Sequence, residues 1–548
     1  MQKINLENSD LLTIYGGGQI LACSGLDDHT DIATHLVGRT AFGAAGIDIK
    51  TPGQASLRFD TAPPRNCQIT GDALELVVSS GMVRAVFLDN HHLLIEGPCE
   101  VTDVAGPIEI YETAGRVLVG VEGKLDRSKI STDVGRWFDR RRRWLQAQPI
   151  PEDLEPLRLA TTAKALSVMK TQVCTPEGHV EHFWTTPDRW PHAGLWLWDS
   201  AFHAIGWRHI DAQLARDMIS AVLDGQREDG QIPIRTLPKR QNEYTQPPVL
   251  TLAASLVDQV EHDPDWMVEI YPKLAAYIRW DLENRDSDGA GLLEWQIEGN
   301  VNCRSGESGM DNSPRFDAAK ALDAVDFNSY LALECEILAE IAYRLGLDDE
   351  AEQWTETHQR LCDAINQRLW NQDAGLYVDC DAATGEQSGV LSSAGLLPLI
   401  CGAPSARQAQ QLAEHLQDPQ MFATALPVPS IAACQTDIYS PDMWRGPVWI
   451  NLNWLIALGL DRYDMTEQAA QLRLRSIEEI EKWYARTGAI FEFYDDKGVT
   501  PPPQLLRKGA CDPDKHWTHQ VIFDYGWSST LYLDMLFTLH APAEPDEA

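Results

Sequence analysis

Between about residues 156 and 541, apolar side chains return every three or four positions, the spacing of helices that bury one face. The pattern predicts helices over 157–174, 199–209, 211–226, 264–284, 328–345, 351–370, 406–416, 449–460, 466–487 and 525–539. From about 10 to 125 the period changes. Short apolar runs at 74–78, 83–88 and 116–121 are separated by Gly, Asp, Asn and Pro, which predicts short strands joined by turns and a sandwich-like arrangement. The charged, Pro-containing stretch at 134–155 reads as a connector, with a helix leading into the second part. The expected organisation is a β-rich domain over 1–130, a linker over 131–155, a mainly α domain over 156–541 and a disordered tail over 542–548.

A chain of 548 residues exceeds one ordinary core. So long a helical stretch is also more than a simple bundle needs. A closed ring of helical hairpins, the (α/α)6 barrel, fits its length and helix number, although no sequence repeat marks it.

Charge narrows the partners. Lys and Arg number 45 against 81 Asp and Glu, a formal net charge of −36. Such a surface repels phosphate backbones and anionic lipid, so neither nucleic acid nor a membrane is an expected partner. The Arg run at 140–143 is read as pairing with acidic groups. The 11 Cys contain no C-x-x-C pair, which argues against a disulfide framework and a structural zinc site. Reduced thiols, a start at 1–5 without an apolar leader and the lack of a run of 18 apolar residues lead to the expectation of a cytoplasmic protein. The oligomeric state is not legible.

The candidate chemistry lies in the loops between helices. Glu307-Ser308-Gly309-Met310-Asp311 places two carboxylates around a small-residue turn, with Arg315 following. Trp198-Asp199 opens a predicted helix, where Asp199 can serve as its N-cap. Gln246 precedes a Pro-Pro turn. Trp444-Arg445-Gly446-Pro447-Val448-Trp449 puts a cation between two indoles and reads locally as a cation–π staple. In Phe491-Glu492-Phe493-Tyr494, an extended chain puts Glu492 and Tyr494 on one face. Aromatic surroundings would desolvate Glu492 and suit it to acid or base work; an edge strand would leave it in solvent. Carboxylates interleaved with Trp are what a carbohydrate-cleaving pocket needs, because indole faces stack on sugars while two acids do the chemistry.

Together with Tyr525-Gly526-Trp527-Ser528-Ser529, these blocks resemble the trehalase-like clan of inverting glycosidases, most closely glycoside hydrolase family 63. They occur in that family's order over roughly 190–530, leaving the N-terminal β region outside the likeness. The resemblance implies an (α/α)6-barrel catalytic domain, with Asp311 as general acid and Glu492 as general base. It further implies that Trp198, Asp199, Gln246, Glu307, Arg315, Trp444, Arg445, Trp449, Tyr494 and Trp527 bind substrate. No cofactor is expected. Some relatives bind calcium, but no Asp-rich loop here compels it.

The resulting expectation is an exo-acting α-glycosidase, foremost an α-glucosidase. Glucosylglycerate or mannosylglycerate hydrolase and a trehalase-like enzyme are the alternatives, the last disfavoured by Met310 where trehalases carry Trp. A glycerate-bearing substrate would need a local cation, for which Arg235, Lys239 and Arg304 are candidates. An epimerase or lyase would rely on His or Tyr rather than these acids. A non-catalytic sugar-binding protein would use the same Trp residues without needing the acids.

Overall fold

The computed structural model describes residues 2–3, 15–59, 66–238, 240–512, 516 and 518–541. The expected tail at 542–548 and the candidate cation Lys239 lie outside the described residues.

The N-terminal region forms two antiparallel sheets. Their strands are β1 (Ile20–Ala22), β2 (Val37–Thr40), β3 (Gly46–Thr51), β4 (Gln54–Arg58), β5 (Asn66–Thr70), β6 (Ala73–Val78), β7 (Gly81–Asp89), β8 (His92–Glu96), β9 (Glu100–Ala105), β10 (Ile108–Thr113) and β11 (Arg116–Val121). One sheet runs β9-β4-β3-β2-β1, the other β10-β11-β8-β7-β6-β5. Alternation places Ile47 and Leu57 opposite one another in the first sheet and Leu74 beside Ala85 in the second. Their side chains join a single apolar core. The far face of the six-stranded sheet is covered by helix α1 (Val134–Ala147), through Val134 and Phe138 on Val86, Leu94 and Leu118. The expected connector is therefore a packed helix. Its Arg141 is buried rather than superficial, bonded to Asp27 and Asp72 at 2.5 and 2.6 Å.

The remainder is helical: α2 (Pro156–Gln172), α3 (Leu197–Trp207), α4 (Ala212–Asp224), α5 (Leu250–Val260), α6 (Pro264–Asn284), α7 (Val325–Arg344), α8 (Asp348–Ala364), α9 (Pro398–Cys401), α10 (Ala406–His415), α11 (Ile450–Arg462), α12 (Thr466–Thr487) and α13 (Gly526–Leu539). Each periodic segment appears as a helix. Helix α5, outside that set, comes after the Pro247-Pro248 turn, and its first amides are held by the Glu334 carboxylate at 2.8 Å each. Local capping sets several boundaries: Asp211 accepts from Leu214 N, Asp263 from Trp266 N, and α12 stops at Gly488 with φ +75°. Helix α3 packs on α4, α5 and α13; α7 on α8 and α9; α11 on α12; and α13 closes back on α2. One apolar core runs through all of them.

The two regions meet near the segment that carries Glu492. Ile20 N of β1 and Lys164 Nζ of α2 both bond Asp524 Oδ2, at 3.0 and 2.7 Å. Trp190 packs on Ile20, Ala22 and Val37. No helix among the described residues is long and apolar enough to cross a membrane.

Candidate active site

A cavity with about 700 Å³ of space, opening to solvent, lies at the N-terminal ends of α3, α11 and α13. Its walls include Trp196, Trp198, Asp199, Gln246, Asp311, Trp444, Trp449, Glu492, Tyr525 and Trp527. Helix N-termini carry unpaired N–H groups and a partial positive charge, surroundings that suit carboxylates. One such amide, Trp198 N, is satisfied by Gln246 Oε1 at 3.2 Å. Asp199 is not the expected cap: α3 begins two residues earlier, so Asp199 lies in its first turn.

The Asp311 wall is a loop between α6 and α7 held from beneath. Glu307, fully buried, accepts from Thr245 N and Gln296 N at 3.0 Å each and from the Arg285 guanidinium. Burial raises its carboxyl pKa, and Arg285 opposes that shift. Gly309 has φ +70°, and a Cβ there would meet the Trp198 indole at 2.3 Å. Only glycine allows this loop to lie against that ring. Arg304 N closes the loop by donating to Asp311 O at 2.7 Å. Asn312 joins it to the next wall by accepting from Trp444 N at 3.1 Å. The Asp311 side chain pairs with Lys508 Nζ at 3.0 Å.

The Glu492 wall lies between α12 and α13. Glu492 N donates to Ile522 O at 3.1 Å, while Tyr494 exchanges backbone bonds with Val448 at 2.8 and 3.0 Å. Tyr494 OH accepts from Phe491 N at 2.9 Å. Glu492 is only 3% exposed, so it is not the solvent-facing acid of an edge strand. Arg507 grips it with a two-point fork, Nε to Oε2 at 2.8 Å and Nη2 to Oε1 at 3.1 Å. Nearby, Tyr525 OH donates to Asp199 Oδ1 at 3.2 Å. Burial first, then the charges of Asp188 and Glu492, hold the Asp199 carboxyl well above the usual range.

Indoles finish the enclosure. Trp444 and Trp449 stack in parallel at 3.8 Å, and Trp527 meets Trp198 edge-on at 5.1 Å. The expected staple is absent: Arg445 does not sit between the two rings but pairs with Asp317 at 2.8 Å. The Nε1–H groups of Trp196, Trp444 and Trp527 have no hydrogen-bond partner among the described residues, although all three residues line the cavity. Buried donors are rarely left unpaired, so these are available to a polar ligand.

The fold thus gathers Trp198, Asp199, Gln246, Asp311, Trp444, Trp449, Glu492 and Trp527 around one space. Glu307, Arg315, Arg445 and Tyr494 are not among its lining residues. Arg315 lies buried between Asp326 and Asp379, at 2.7 Å from each. Sequence reasoning missed Trp196, Arg507 and Lys508. Lys508-Gly509 carries a turn signal, but no local pattern tells which acids that turn meets. Of the glycerate-binding candidates, Arg235 stacks over Trp196 at 5.5 Å. Elsewhere, Asp286, Asp288 and Glu294 offer ligand atoms within 4.8 Å of one another, the only such three-carboxylate group among the described residues.

Comparison with known proteins fits this geometry. Residues 191–500 match the family described as the mannosylglycerate hydrolase MGH1-like glycoside hydrolase domain. A mannosylglycerate hydrolase of Thermus thermophilus is 27% identical over 394 residues, 57% of this chain and 91% of that enzyme. The crystal structure of a family 63 mannosylglycerate hydrolase from the same species, in complex with glucose, superimposes with a TM-score of 0.55 at 24% identity, covering 68% of this chain and 99% of that one. A rhamnosidase from Klebsiella oxytoca with bound rhamnose shares the fold over 95% of this chain and 96% of its own, with a TM-score of 0.52 at 14% identity. With more than half its length matched by the family, the chain belongs to the mannosylglycerate hydrolase MGH1-like glycoside hydrolase domain family and is a glycoside hydrolase.

Proposed function

We propose that this glycoside hydrolase cleaves a small α-mannoside or α-glucoside with inversion, using Asp311 as general acid and Glu492 as general base. The observation that carries the reading is that these two carboxylates, remote in sequence, line one indole-walled cavity. Asp311 gives a proton to the glycosidic oxygen as the bond from the anomeric carbon breaks and its electron pair leaves on that oxygen. Glu492 takes a proton from the water that attacks the opposite face of the sugar. Trp198 and Trp449 offer faces to the ring and Trp444 and Trp527 their N–H groups, while Asp199 and Gln246 hydrogen-bond its hydroxyls. Two carboxylates and water balance this reaction without a cofactor.

The leaving group we favour is glycerate or a similar small hydroxy acid, because the similar enzyme from Thermus thermophilus is a mannosylglycerate hydrolase. Arg507 lines the cavity and supplies local positive charge in a chain of net charge −36. An α-glucosidase acting on a neutral glucoside is the second reading, favoured by the glucose held in the Thermus structure.

We also read the helices as an (α/α)6 barrel over 156–541 and the two sheets as a sandwich domain over 1–130, with 131–155 as the linker. The packing of α13 back onto α2 supports a closed ring. The eleven free cysteines support a cytoplasmic location.

The test is to incubate the purified protein with mannosylglycerate, glucosylglycerate, trehalose and other α-glucosides while following the released sugar by NMR. Initial release of the β-anomer establishes inversion and names the sugar; initial α-anomer overturns the acid–base assignment.

A further inference from the structure

The cations beside the two acids come from one turn. Arg507 N donates to Ala510 O at 2.8 Å, and Ala510 N returns to Arg507 O at 3.4 Å. Between them Lys508 has φ +55° and Gly509 φ +83°. Two successive left-handed residues make the tight hairpin usually built from Asn-Gly or Gly-Gly. Lys is strained at such a position, so something outside the turn must hold it there. Asp442 does so, accepting from Gly509 N at 2.9 Å, while Leu506 N donates to Pro441 O at 2.9 Å. The turn is pinned to the loop that carries Trp444. Adjacent side chains thereby reach different acids: Arg507 holds Glu492, and Lys508 reaches Asp311.

We propose that Lys508 is a positioning residue for the acid step: it fixes the Asp311 carboxyl and stabilises the carboxylate that forms as Asp311 gives up its proton. This rests on the reading of Asp311 as general acid. The proton goes to the glycosidic oxygen, the electron pair of the O–H bond stays on Asp311, and the new negative charge forms 3.0 Å from the ammonium. A charge that meets a partner already in place in the transition state lowers the barrier without reorganisation. Once formed, the Asp311 charge is the main influence raising the Lys508 pKa, so the pair is held most firmly after the proton has left. Lys508 is a quarter exposed, so solvent can reload the proton from that side.

The test sets wild type, Lys508→Met and Lys508→Arg against two substrate classes. Mannosylglycerate and glucosylglycerate need a proton on the leaving oxygen, whereas α-mannosyl and α-glucosyl fluoride release fluoride with little acid help. The expected result for Lys508→Met is a kcat lower by about 10²-fold on the glycerates, with KM little changed. The fluorides should change by less than about threefold, and Lys508→Arg should recover part of the loss. Equal loss on both classes, a change in KM alone or no change overturns the proposal, as does a failure of arginine to recover activity. A wild-type chain inert towards both classes would overturn the inverting acid–base reading as well. An active wild type with unchanged Lys508→Met overturns the Lys508 role alone.

Discussion

The two walls of the cavity hold their acids in unlike ways. Glu492 is almost fully buried and gripped by a buried guanidinium at two points, with side-chain exposures of 4% and 3% for the pair. Asp311 meets a single ammonium on a turn that solvent reaches, with exposures of 21% and 25%. A fixed fork suits a group that must be ionised and aimed when the attacking water arrives, because Arg stays charged and holds the carboxylate in one geometry. A single contact within reach of solvent suits a group that must begin each cycle protonated, because water can return its proton. The walls are therefore separable: the buried Glu492 pair bears more on folding than the partly exposed Asp311 pair.

The largest expected effect breaks that separation at the acids themselves. Asp311→Asn and Glu492→Gln should each lower kcat on O-glycosides by roughly 10²–10⁴-fold. On glycosyl fluorides the two should part: Asp311→Asn keeps most of its activity, because fluoride needs no acid, and Glu492→Gln stays inactive. Steady-state rates on both substrate classes check this, and equal losses would mean that the walls do not divide the labour.

Next comes the cost of unpairing each wall. Arg507→Met leaves the Glu492 carboxylate buried without its partner and should destabilise the fold by about 3–5 kcal/mol. Lys508→Met removes a partly exposed pair and should cost less than about 1 kcal/mol. Urea unfolding of both variants at one pH tests the contrast, and similar costs would remove it.

A smaller effect is expected at the hinge of the Asp311 wall. Gly309→Ala forces a methyl into the Trp198 indole and a side chain into φ +70°. It should cost about 1–3 kcal/mol in stability or in substrate binding. A variant with unaltered KM, kcat and melting temperature would show that the loop yields freely.

The smallest effect is a slope with pH. Burial raises the Asp199 carboxyl well above the ordinary range, so the folded chain keeps a proton that the unfolded chain has released. Above the unfolded value the unfolded state therefore binds fewer protons, and stability falls as pH rises, by up to about 1.4 kcal/mol per pH unit until the folded group itself ionises. Asp199→Asn cannot ionise and should gain on wild type in urea unfolding as the pH rises above the ordinary carboxylate range. Parallel curves would mean that Asp199 is ionised in the fold.

Much of this molecule was legible because its signals are local. The three- and four-residue period placed the helices, and the alternation at 74–78, 83–88 and 116–121 placed strands of the β region. Glu307 to Asp311 stood out as a loop because its residues resist regular structure. Helix α5 is not among the predicted helices: its short run follows the Pro-Pro turn, and its first amides are held by Glu334, which is remote in sequence. Glu492 showed the limit: spacing allowed either a buried or an exposed acid, and the packing of Phe491, Phe493 and Tyr494 settled burial.

Periodicity and turn chemistry act over a few residues, so the sequence by itself determined the element types, the β-then-α order and the loops in which acids and indoles concentrate. The partners of those acids are another matter. Arg445, set between two indoles in sequence, turns to Asp317; Arg315 goes to Asp326 and Asp379; Glu307 holds backbone amides; and Arg507 and Lys508, unremarkable in sequence, meet the two carboxylates. Charge pairing is decided by distances of a few ångströms between residues 11, 15, 64 or 128 positions apart in sequence, and only the packing of helices and loops brings them together.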